Sequence, residues 1–142
     1  MAVPRGLNLG IVALTVAFGS VMPGDPVSAA SGACDGVNTA LTDAHKHEYA
    51  GLVAAAMDHK VKPSAVDVSK FMESGAWSAV YVSTPIADDG VLFFEAVSGQ
   101  KRFKDVWGGV ADPEDRPELI KWARALGAPE NLAKCFAHVV ID

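Results

Sequence analysis

The chain lacks the short motifs that mark the common enzyme classes. Its 142 residues contain no Gly-x-Ser-x-Gly elbow, no glycine-rich phosphate loop before a helix and no dinucleotide-binding fingerprint. Internal repeats and low-complexity segments are absent as well. No residue pattern therefore implies a cofactor. A catalytic site would have to be assembled by the fold from residues that are distant in sequence.

Positive charge is also scarce. Lysine and arginine number 12 against 17 acidic residues, which gives a formal net charge of −5 at pH 7. A protein that binds nucleic acid needs a basic patch to neutralise phosphates. We therefore do not expect nucleic acid as a partner.

Long apolar runs are confined to the first 30 residues, which have the three parts of an export signal. Arg5 supplies an early positive charge, residues 7–22 are mostly apolar without an ionised side chain, and residues 27–29 are small enough for signal peptidase. Cleavage is expected after Ala29 or Ala30. Residues 1–30 then form the leader, and residues 31–142 form one domain of about 110 residues, a common size for a single core.

Two alternatives to a cleaved leader are a retained membrane anchor and a lipoprotein. The apolar run is shorter than the roughly 20 residues of a spanning helix and ends at Pro23. A lipoprotein would be acylated at Cys34, but Ser31 stands where a branched apolar residue is usual. We therefore expect an exported protein, periplasmic or secreted, with no membrane association after cleavage.

The chain has only two cysteines, Cys34 and Cys135, and neither belongs to a C-x-x-C pair. In an oxidising compartment such a pair is most often a disulfide. We expect a bridge that joins the two ends of the domain. The chain-entropy model assigns a loop of this length about 4.7 kcal/mol as an upper figure. A catalytic thiol is the alternative interpretation.

Apolar periodicity predicts a first helix from residue 39 to about residue 60, with Asn38 as its N-cap and Lys62-Pro63 as its end. Alternating and β-branched residues then predict an antiparallel meander, with turns at residues 73–75, 88–90 and 98–99. The four strands are expected at residues 66–69, 76–84, 91–97 and 101–107.

Two helices are expected after the strands. The first begins with a capping box of Asp115 and Glu118 and ends at Gly127, and the second runs from Pro129 to about residue 136. Residues 138–142 are expected as a short edge strand or a docked tail. The fold class is therefore α+β, and its topology loosely resembles cystatin-like arrangements, although no residue motif supports a family.

Aromatic residues on the predicted sheet offer the best candidate binding surface. Trp77 and Tyr81 share one face, and apolar side chains also occupy the other. If helices cover only one face, Trp77 and Tyr81, with Phe103 and Trp107, form an exposed patch. In the alternative, the terminal helices are split between the faces and bury these residues. We expect an exported binding or interaction module that uses Trp77, Tyr81 and Trp107 to hold a protein, a small ligand or a second copy.

The alternative function is a small periplasmic enzyme or metal-binding protein that uses His45, Glu48 and His59. His45 and Glu48 are three residues apart and can share a helix face, whereas His47 points to the opposite side. His47-Glu48 begins like a zinc-protease motif, but Gly51 replaces the second histidine. We therefore expect no metal ligands and no catalytic residue, and we prefer a binding protein to an enzyme.

Overall fold

The computed structural model describes residues 32–142, so the predicted leader lies outside the described residues. One helix precedes a four-stranded sheet, and two helices follow it, which confirms the predicted α+β order. No helix in this part of the chain is long and apolar enough to cross a membrane. The elements are α1 Asp43–Ala56, β1 Asp67–Ser74, β2 Trp77–Thr84, β3 Ala87–Val97, β4 Gln100–Gly108, α2 Arg116–Leu126 and α3 Glu130–Ile141.

The strands pair in chain order as an antiparallel meander. Ser98 and Gly99 form the third turn as predicted, both with positive φ. The turn predicted at residues 88–90 is wrong, because β2 and β3 are joined at residues 85–86 and residues 88–90 belong to β3. Gly90 is needed there for another reason: a Cβ at this position would lie 2.8 Å from the Trp107 carbonyl oxygen of β4.

The first helix is shorter than predicted at both ends. Thr42 is its N-cap, and its hydroxyl oxygen accepts a hydrogen bond from the His45 backbone N–H at 3.1 Å. Asn38 instead pairs with Glu73 through two backbone hydrogen bonds of 2.8 and 2.9 Å beside β1. After Ala56 the chain leaves helical geometry, and Asp58 and His59 adopt positive φ.

The C-terminal helices also differ in detail from the expectation. The capping box joins Asp112 and Asp115 rather than Asp115 and Glu118, and the Asp112 N–H donates to Asp115 Oδ2 at 2.9 Å. Gly127 ends α2 with a φ of 110° as predicted. Residues 138–142 form no edge strand, because α3 continues to Ile141 with Ala137 buried against the sheet.

The sheet separates two apolar cores, and the helices are split between its faces. On the α1 face, Tyr49 and Val53 pack with Phe94 of β3. On the other face, Phe93 packs with Leu132 and Phe136 of α3. The adjacent residues Phe93 and Phe94 therefore belong to different cores, which is the alternation that a strand buried on both sides requires.

The predicted disulfide between Cys34 and Cys135 is confirmed, and it closes a loop with a sequence separation of 101. Both cysteines of the chain are thus bonded, which removes the alternative of a catalytic thiol. Asn131 reinforces the same junction. Its side-chain oxygen accepts from the Ser74 hydroxyl at 2.9 Å, and its amide donates to the Gly36 carbonyl at 3.4 Å.

Replacing Gly90 by alanine is expected to destabilise the protein, because the new Cβ would collide with the Trp107 carbonyl oxygen. We expect Gly90→Ala to lower the free energy of unfolding in urea by about 1–3 kcal/mol. Gly108→Ala is the matched control, since Gly108 pairs with Gly90 and its Cβ would meet no atom closer than 3.8 Å. Equal losses in the two variants would contradict the steric explanation.

Candidate functional site

Trp77 lies in the core and is only 8% exposed. The turn between α2 and α3 covers it, so closely that a Cβ at Gly127 would lie 3.0 Å from Trp77 Cζ2. The expectation that Trp77 contributes to an exposed aromatic patch is therefore wrong. Strand alternation assigns Trp77 to a face, but the packing of α2 and α3 decides that this face is covered.

Tyr81 and Trp107 remain partly exposed, and the structure brings them to the same end of the sheet. Val91 pairs with Tyr81 on one side and with Trp107 on the other, so the three residues form one row across β2, β3 and β4. Phe103 does not join them. It lies near α1 on the opposite face, where its ring is 6.0 Å from that of Phe94.

A hollow of about 430 Å³ opens between the end of β4 and the start of α2. Two indole rings and two carboxylates are the chemically distinctive groups of its lining. We call it the tryptophan hollow and define it by Trp107, Trp122, Asp115 and Glu118. The remaining lining residues are Gly108, Val110, Ala111 and Leu119.

Phe136 of α3 packs against both indoles on the side of the core. The Phe136 ring centroid lies 5.8 Å from that of Trp107 and 5.7 Å from that of Trp122. Phe93 adds an edge contact to Trp122 at 5.6 Å. Because Phe93 and Phe136 are fully buried, both indoles rest on fixed supports and present a preformed aromatic surface.

The two carboxylates give the hollow a negative rim. Asp115 and Glu118 are exposed, and neither belongs to an ion pair within residues 32–142. Both lie near the N-terminus of α2, where the helix dipole favours negative charge. Arg116, which lies between them in sequence, is directed to Asp142 at 3.8 Å. No lysine or arginine of residues 32–142 therefore pairs with either carboxylate of the rim.

The histidines of the alternative hypothesis lie in separate local environments. His45 Nδ1 bonds the Ala40 carbonyl oxygen at 2.8 Å, and its ring stacks on Phe71 at 3.9 Å. His59 follows the end of α1 in a left-handed backbone conformation. No group of three or more His, Cys, Asp or Glu residues within the described range could hold a metal ion. His45, Glu48 and His59 are therefore not gathered into a site.

Glu48 is engaged with Lys101 of β4 in an ion pair that ties α1 to the sheet edge. The Lys101 ammonium also lies 4.6 Å from the centroid of the Tyr49 ring. Partial burial lowers the pKa of Lys101, but the hydrogen bond to Glu48 and the contact with Tyr49 outweigh it and raise the pKa above its ordinary value. This pair therefore has a structural role.

Trp122 and the two acids were not among the predicted site residues. Asp115 and Glu118 are expected from the sequence as a capping box, and Trp122 only as part of the helix that ends at Gly127. The available signal is the concentration of acidic residues just after Trp107, from Asp112 to Glu118. The sequence does not show that α2 packs against the end of β4, and it is this packing that forms the hollow.

No protein-family model, curated protein or solved structure matches this chain. The cystatin-like resemblance of topology is therefore not confirmed. The fold is an α+β domain with one helix on one face of a four-stranded sheet and two on the other. Because the fold alone does not define a function, the chemistry of the surface has to indicate it.

Tryptophan fluorescence is expected to distinguish the buried indole from those of the hollow. The chain has three tryptophans. We expect Trp77→Phe to leave the acrylamide-quenchable part of the emission intact and Trp107→Phe to reduce it, because only the hollow gives a quencher access to an indole. Loss of the quenchable emission in Trp77→Phe would show that Trp77 is exposed in solution.

Proposed function

We propose that this protein is an exported binding domain whose tryptophan hollow holds a small organic cation, such as a quaternary ammonium group. The observation that carries the proposal is the lining itself. Two partly exposed indoles and two carboxylates that form no ion pair within residues 32–142 line one opening. Aromatic faces combined with negative charge form the chemistry that recognises methylated ammonium groups.

The energetics favour a cation over a neutral ligand of the same shape. Each cation–π contact contributes about 0.5–2 kcal/mol, depending on how far the site is desolvated. A quaternary ammonium group is bulky and has no N–H donors that must stay hydrated. The carboxylates of Asp115 and Glu118 add attraction that a neutral isostere does not feel. An anionic ligand would be repelled by the same two groups.

The size and rigidity of the hollow are consistent with a small-molecule ligand. A volume of about 430 Å³ lies within the roughly 300–1,000 Å³ that is usual for such sites. The indoles come from a strand and a helix that pack on the buried Phe136. Little ordering is then required on binding, which reduces its entropic cost.

Export is the second part of the proposal. The charged start, apolar run and small residues of the first 30 residues support a cleaved leader. The disulfide between Cys34 and Cys135 supports it independently, because such bonds persist in oxidising compartments. The cation would accordingly be captured in a periplasm or outside the cell.

Choline and its neutral isostere 3,3-dimethylbutanol test the charge requirement directly. Because the two probes have nearly the same shape, we expect choline to bind roughly tenfold or more tightly in calorimetric titrations. Choline is also expected to change the tryptophan emission, since Trp107 and Trp122 line the site. Equal binding of the two probes, or no binding of choline at millimolar concentration, would refute the proposed ligand class.

A matched pair of variants tests the location. We expect Glu118→Gln to weaken choline binding about three- to tenfold, because it removes one charge from the rim and preserves the side-chain shape. Glu114→Gln removes the same charge from an exposed residue that does not line the hollow, and its effect is expected to be much smaller. Similar losses in both variants would indicate general charge attraction instead of a site.

Intact mass tests export and the disulfide together. In protein purified from its native compartment, we expect a mass that lacks residues 1–29 or 1–30 and no reaction with an alkylating reagent. After reduction, both Cys34 and Cys135 are expected to react, because they are the only cysteines. A chain that retains residues 1–30 and carries two free thiols would contradict export.

A further inference from the structure

We infer a second binding site on the opposite face of the sheet, for a small neutral molecule with an apolar body and one hydrogen-bonding group. A cavity of about 170 Å³ lies where the end of α1 meets the sheet. Met57 closes it on the α1 side, and Val82, Leu92 and Phe103 line it from three strands. This site is separate from the tryptophan hollow, because the sheet lies between them.

The cavity exists because α1 is too short to cover its face of the sheet. The helix ends at Ala56, and the chain then turns away through residues with positive φ. Phe103 and Val106 of β4 are left 42% and 49% exposed beside it. Large apolar side chains that border a partly open, mostly apolar cavity are typical of a small-molecule site.

Two polar side chains line this site, those of Thr84 and of Asp88, which is exposed to solvent. The Oγ1 atom of Thr84 is buried without a hydrogen-bond partner in residues 32–142. Nearly all buried polar groups in native proteins have a partner, because an unpaired one is unfavourable. The pairing of β2 with β3 is irregular between Val82 and Thr84, and irregularities of this kind redirect side chains beside functional sites.

The dimensions define the chemical class of the ligand. A cavity of roughly 150 Å³ lined by apolar side chains accommodates a benzene-sized molecule. The present cavity therefore fits one six-membered ring, and the Thr84 hydroxyl favours a ring that carries a hydroxyl or carbonyl group. Phenol is the simplest probe of this class, and toluene is its counterpart without the polar group.

Two-dimensional NMR tests this site by monitoring titrations of the disulfide-bonded protein with phenol and with toluene. Phenol is expected to bind at millimolar concentration or below and to shift the signals of Val82, Leu92 and Phe103. Thr84→Val removes the hydroxyl at nearly constant volume, and we expect it to weaken phenol binding about five- to tenfold and leave toluene binding unchanged. An equal change for both probes, or no change for either, would overturn the role of Thr84.

A second pair of variants tests the cavity itself. Ala56→Leu fills the space from the α1 side and is expected to abolish phenol binding. Ala55→Leu adds the same atoms at the exposed neighbouring position and is expected to leave it intact. Phenol binding that survives in Ala56→Leu would overturn the site. Choline titration of Ala56→Leu keeps the two sites distinct, because its result is expected to match that of the unmodified protein.

Discussion

The attachment of α3 to the sheet is the constraint on which the rest of the structure depends. Two adjacent residues provide it in different ways. Cys135 is bonded to Cys34 at the start of the domain, and Phe136 packs against Phe93, Trp107 and Trp122. In the chain-entropy model the disulfide restricts the unfolded chain and so stabilises the protein by up to about 4.7 kcal/mol. The aromatic contacts stabilise the folded state directly.

The same attachment determines what the surface offers. Without α3, the two indoles of the tryptophan hollow would lose the Phe136 ring, which packs against both of them. Trp77 shows the complementary effect, since the turn that joins α2 to α3 buries it. One helical hairpin thus removes one tryptophan from solvent and fixes two others at the edge of an opening. On the opposite face α1 is a single helix that ends at Ala56, and the sheet reaches the surface at Phe103 and Val106.

The sequence is sufficient to predict the type and order of the helices and strands, because the spacing of apolar residues along each element is a local property. It was less informative about their ends. Asn38 and residues 88–90 carry strong local signals for a helix cap and a turn, yet Asn38 pairs with Glu73 and Gly90 pairs with both β2 and β4. Of the predicted binding residues, Trp107 lines the hollow and Trp77 lies in the core. The residues that flank each tryptophan in sequence do not distinguish the two, because only the packing of α2 and α3 decides which indole is covered.

The two acids of the tryptophan hollow differ in how far the fold depends on them. Asp115 is part of the capping box and accepts the Asp112 N–H, so its charge has a structural task at the start of α2. Glu118 has no side-chain hydrogen bond or ion pair with any residue of the 32–142 range. Its position near a helix N-terminus accounts for its charge but not for its place beside two indoles. Because the Glu118 carboxylate forms no side-chain hydrogen bond or ion pair with residues 32–142, a ligand can bind it without displacing a protein partner from that range, and the effect of its removal on binding reports the hollow.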